Sequence, residues 1–124
     1  MYHHGMNDKN LEKKVITEMD RQIEERGYAS TIDVLINLGY LSSGDYREWM
    51  DGRILFLEKV LRIGPSKVLD LMTVMNSHAK KQGYKGSVKP YMNGKKKLRF
   101  SRTGNAVIED RFATHYVDKY WSED

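Results

Sequence analysis

Leu11, Val15, Met19 and Ile23 recur at every fourth position and make one stripe, Ile16 widens it, and Glu, Lys and Arg fill the opposite face. This spacing predicts an amphipathic helix over 8–26, with Gly27 as its stop. Ser30, three residues before Asp33, predicts an N-cap for a second helix over 31–38. That segment, TIDVLINL, is apolar on several sides and should be buried, and Gly39 ends it. Ser42 or Ser43 then starts a third helix over 43–51 through Tyr46, Trp49 and Met50. A fourth is expected over 53–62, with Ile54, Leu57 and Leu61 on one face. Gly64-Pro65 breaks it and opens a fifth over 65–82, whose inner stripe is Val68, Leu71, Met72, Met75 and Ala79.

The helical period disappears at Gly83, where Gly86, Pro90 and Gly94 follow in quick succession. Asn93-Gly94 is a type I′ turn signal, because both central residues of that turn need positive φ. A hairpin is therefore expected, with 88–92 paired to 95–101. Asn105 is placed to cap a helix over AVIEDRF, and the tail ATHYVDKYW fits either helix or strand. The expected fold is mainly α: about five helices round one core, with a small C-terminal β-hairpin. One domain spans 1–124, the helical part about 8–82 and the basic hairpin and tail about 83–124.

Charge changes this picture more than composition does. The formal net charge of the 124 residues is +4, yet residues 80–102 hold nine lysines and arginines and no acid. The rest of the chain therefore carries −5, of which residues 1–51 account for −4. Such asymmetry speaks about partners. Nine like charges in one segment repel one another unless solvent or an anionic partner screens them. Cations can neutralise phosphates, and Tyr84, Tyr91 and Phe100, interleaved among them, offer faces for base stacking or for anchoring the hairpin.

Other classes are disfavoured. No apolar run approaches the ~20 residues of a membrane span, and no hydrophobic leader opens the chain. Cysteine is absent, which excludes disulfides and thiolate chemistry and fits a cytoplasmic protein. The helix–turn–helix outline of 31–51 is a poor DNA reader, since Asp45, Glu48 and Asp51 outnumber Arg47 on its second helix. In a winged-helix variant the 88–101 hairpin would be the wing. Met1-Tyr2-His3 has the form of an amino-terminal Cu(II) chelate, taken as incidental, and no paired-His spacing exists elsewhere. Phosphate-binding loops, dinucleotide fingerprints and nucleophile elbows are missing from the sequence. An active site would have to be assembled from Arg99, Ser101, Glu109 and His115.

The sequence thus leads to a non-catalytic protein without cofactor or metal, binding DNA or RNA non-specifically. Lys85, Lys89, Lys95, Lys96, Lys97, Arg99 and Arg102 would contact phosphates, and Tyr91 would lie among them. The alternative is an interaction module or homo-oligomer, in which the acidic N-terminal half meets the basic segment of a second copy or of another protein.

Overall fold

The computed structural model describes residues 4–122, so Met1–His3 lies outside the described residues. Helix α1 (His4–Arg26) leads into a short strand, β1 (Tyr28–Ser30), then α2 (Thr31–Asn37) and α3 (Ser43–Met50). A single 3₁₀ turn (Leu57–Val60) precedes α4 (Pro65–Gln82). Strand β2 (Lys85–Val88), the hairpin pair β3 (Met92–Asn93) and β4 (Lys96–Lys97), α5 (Ala106–Phe112) and β5 (Thr114–Val117) complete the fold, which is mainly α with small antiparallel sheets.

The helix signals act as capping chemistry says they should. Ser30 Oγ accepts from Asp33 N–H, Ser42 Oγ from Asp45 N–H, and Asn105 Oδ1 from Val107 and Ile108 N–H. Pro65 occupies the first turn of α4, and Gly83, in the left-handed region at φ 78°, closes it. The α1 stripe is core, with Val15 and Met19 fully buried, and it packs against the inner face of α4 through Leu71, Met72 and Met75. Thr31, Ile32, Val34 and Leu35 of α2 are buried as well.

Three details depart from expectation. Residues 53–62 do not form an α-helix. Leu57 and Glu58 instead donate their N–H groups to the carbonyls of Arg99 and Phe100, at 3.2 and 2.9 Å, so only the 3₁₀ turn survives. Leu57 is still fully buried, while Leu55 on the same segment is exposed. The hairpin shrinks to Met92–Asn93 against Lys96–Lys97, and its two-residue turn is Gly94-Lys95, one position later than Asn93-Gly94. Positive φ falls on Gly94 alone (61°), the pattern of a II′ turn and not of I′. Third, Val88 does not open the hairpin but ends β2, residues 85–88. They pair with the tail, which settles the ambiguous ATHYV segment as a strand.

The resulting three-stranded antiparallel sheet has the order β1-β5-β2. Tyr116 at its centre sits opposite Ala29 on one side and Gly86 on the other, and its buried ring makes that face part of the core. The two edges differ. Asp118 N–H donates to Gly27 O (2.9 Å), which fixes the alternation so that Tyr28 and Ser30 turn their backbone groups away from β5. Side chains of α1 meet them there: Arg26 Nε donates to Tyr28 O and Gln22 Oε1 accepts from Ser30 N–H, both at 3.1 Å. At the other edge, Lys89 N–H donates to Ala113 O (2.9 Å), so by the same alternation Gly86 and Val88 face outward.

Candidate nucleic-acid interface

An aromatic cluster positions the basic segment. Trp49, fully buried on α3, packs on Phe100 (ring centroids 4.9 Å apart) and Tyr91 (5.9 Å), and Phe100 stacks on Phe112 of α5 at 5.3 Å. Trp49 Nε1–H donates to Arg99 O at 2.8 Å, so the arm leading out of the hairpin is tied to α3 at a buried position. Leu98 and Phe100 are buried while Lys95, Lys96 and Lys97 are exposed. The base of the hairpin is core and its tip is solvent.

The expected cations do not form one patch. Lys80 and Lys81 end α4, and Lys85 lies on β2 opposite Val117. Lys89 borders a recess of about 370 Å³ with Arg26, Tyr28, His115 and Trp121. Lys95–Lys97 hold the hairpin tip. Arg102 lines a groove of about 600 Å³ beside Phe56, Lys59 and Leu69, and its backbone N–H donates to Glu58 Oε1 at 2.7 Å. Among the described residues the ion pairs lie elsewhere, at Arg21, Arg26, Arg53 and His78. None involves a basic residue of 80–102.

Two of the expected contacts have structural work. Arg99 points its guanidinium back onto its own loop, donating to the carbonyls of Ser101 and Arg102, and lies 5.7 Å from the centroid of the Phe56 ring. Tyr91 is half-buried: its ring faces Trp49 and Phe100, and its hydroxyl is hydrogen-bonded to His115 Nε2 at 3.0 Å. Burial pushes the Tyr91 phenol up, so it stays protonated. Burial also lowers His115, with Lys89 and Arg26 adding to the effect and Asp33 opposing it. His115 stacks on Tyr28, rings 5.4 Å apart and 4° from parallel.

Of the four candidate catalytic residues, Arg99, Ser101 and Glu109 meet at one loop and His115 stands apart. Glu109, in the first turn of α5, accepts Phe100 N–H on Oε1 (3.0 Å) and both Ser101 N–H and Ser101 Oγ–H on Oε2 (2.6 Å each). Ser101 Oγ in turn accepts Gly104 N–H at 2.9 Å. With Ser101 only 1% exposed, this is a clamp that holds the 100–104 loop onto α5 and presents no open nucleophile. His115 belongs to the Tyr91 contact instead.

Three arrangements escaped the sequence reading because residues far apart make them. Asp20 of α1 gathers His78 Nε2 (2.8 Å) and the Tyr84 hydroxyl (3.0 Å) on one oxygen, across the α1–α4 seam. Burial and the Asp20 carboxylate together raise Tyr84 to about 12. Glu18 receives Arg21, Gln22 and Asn37 and thereby joins α1 to α2. A cleft of about 440 Å³ opens between α4, α5 and β2, with Lys80, Arg111 and Asp110 among its lining. Among the described residues no group of three or more His, Cys, Asp or Glu could hold a metal ion, and no helix is long and apolar enough to cross a membrane. No known protein family, curated protein or solved structure matches this chain.

Proposed function

We propose that the protein binds nucleic acid without catalysis and with little sequence readout, through backbone phosphates. Lys95, Lys96 and Lys97 at the hairpin tip are its primary contacts, with Lys85, Lys89 and Arg102 extending them. One observation carries the reading: nine cations in 23 residues have neither an acid within the segment nor, among the described residues, an ion-pair partner outside it. Arg99 serves by shaping the loop, and Tyr91, whose ring already packs on Trp49 and Phe100, is given no base to stack on.

Salt titration tests this. Because the cations are dispersed, one duplex meets only part of them, about five phosphates. Log K against log salt should then fall with a slope of about −4.5 for duplex and about −3.5 for single strands, and duplex affinity should drop roughly several hundred-fold between about 50 and 200 mM salt. Changing Lys95, Lys96 and Lys97 together to Gln should flatten the slope by up to ~3 and weaken unrelated sequences alike. Absence of binding by the parent protein at about 50 mM salt, or an unchanged slope in the triple variant, would remove the proposal.

A further inference from the structure

The two edges of the sheet are finished differently. At β1 the outward carbonyl of Tyr28 and the outward N–H of Ser30 are met by Arg26 and Gln22. At β2 the outward N–H and C=O groups of Gly86 and Val88 meet no partner among the described residues. An open edge is a template for one more strand.

We propose that β2 accepts an extended segment of another protein as a fourth strand, and that this segment alternates acidic and apolar residues. Alternation along β2 dictates the pattern. Lys85, Ser87 and Lys89 project to one face and Gly86 and Val88 to the other. An added strand would set its acidic side chains beside Lys85 and Lys89. Its intervening side chains would lie at the 440 Å³ cleft between α4 and α5, whose lining includes Gly86, Val88, Val107 and Tyr116. Val88 and Val107 are 53% and 64% exposed, a high value for large apolar residues that share one cleft. Lys80 and Arg111, set against Asp110, keep the walls net positive. A second copy of the same edge is a poor occupant, because antiparallel pairing about Ser87 would bring Lys85 against Lys89 of that copy. The surface is distinct from the hairpin tip; it shares Lys85 and Lys89 with the proposed phosphate contacts, but the open backbone edge does not depend on that reading.

The experiment uses the full chain and a fluorescein-labelled decapeptide of alternating Glu and Val, followed by anisotropy at low salt. Saturable binding is expected. N-methylating every second residue in one register should abolish it, and in the other register should leave it intact, because only one set of amides faces β2. Val88→Pro removes an outward N–H without touching the ladder to β5 and should weaken binding about tenfold. Lys85→Glu with Lys89→Glu should do at least as much. Three results would overturn the proposal: no binding of the decapeptide, equal binding of both methylated peptides, or equal binding of a block peptide with all Glu before all Val. The methylated peptides leave the protein unaltered, so the test stands even if Val88→Pro fails to fold.

Discussion

The charged face joining α1 to α2 and the charged segment 80–102 are built on opposite plans. In the first, Glu18, Arg21, Arg26 and Asp33 all have side-chain partners. Glu18 takes Arg21 in a two-point contact (2.9 and 2.8 Å), Gln22 at 2.8 Å and Asn37 at 2.6 Å, while Arg26 bridges Asp33 at 2.7 Å and also reaches Gln22. Burial alone would raise the Glu18 carboxyl. Hydrogen bonds from Arg21, Asn37 and Gln22 outweigh it and hold the group at about 2. In the second, among the described residues, the lysines form no ion pair, while the Arg99 guanidinium is drawn back onto its own loop. Charge in the first region specifies how helices meet, and charge in the second takes no such part, which is what the contacts proposed above would require. Substitutions in the two regions should therefore be read out by different measurements: stability for one, association for the other.

The largest expected effect lies beneath both regions. Met19 is fully buried on the stripe that seats α1, so Met19→Asp places an uncompensated carboxylate in the core. The cost should exceed about 4 kcal/mol, which is most of a small domain's stability. Circular dichroism should show loss of cooperative unfolding. A cooperative melt at the parent's Tm would mean that α1 and its polar network are dispensable.

Glu18→Gln comes next and tests the network directly. It weakens the Arg21 contact and converts an acceptor into a partial donor facing Asn37, at a cost of about 1–3 kcal/mol. The sign of the pH effect follows from the depressed value. A carboxyl with folded pKa about 2 against an ordinary 4.5 contributes fully above about 4.5, and that contribution is lost as pH falls toward 2. Urea melts between pH 7 and pH 2 should show this loss in the parent and a flatter profile in the variant. Equal profiles would show that Glu18 does not couple to folding.

Glu109→Gln should cost somewhat less, about 1–2 kcal/mol, since it disturbs three hydrogen bonds to Phe100 and Ser101 at a partly exposed loop. Amide exchange should accelerate at residues 100–104 before it does elsewhere. Uniform protection would place the loop's stability in the Phe100–Phe112 stack instead.

What the sequence made legible is what adjacent residues decide. The Leu11, Val15, Met19, Ile23 stripe and the caps at Ser30, Ser42 and Asn105 need only local spacing, and each stands where expected. The stretch 53–62 misleads because Ile54, Leu57 and Leu61 have helical spacing, while its backbone partners are Arg99 and Phe100, some forty residues on. Likewise, 85–88 has turn residues on both sides, and only the distant tail reveals it as a strand. The candidate interface was legible as charge and not as shape. Nothing local says that Arg99 turns back onto Ser101 and Arg102, or that Tyr91 is held by Trp49 and His115.

The smallest expected effect is also the sharpest test of the contrast. Lys95, Lys96 and Lys97 are exposed, and none belongs to an ion pair among the described residues. Changing all three to Gln keeps the chain length, the Gly94 turn and the Tyr91–Trp49–Phe100 anchor. It removes three like charges that stand side by side at one tip, which relieves repulsion. Stability should therefore move by no more than about ±0.5 kcal/mol, with any shift toward stabilisation at low salt, where repulsion is least screened. Thermal melts of parent and variant at low and high salt would check this. A clear fall in Tm would mean that the tip lysines are part of the fold, and the two regions would then follow one plan after all. An unmoved Tm in a variant whose salt-dependent binding has flattened would separate folding charge from binding charge within one chain.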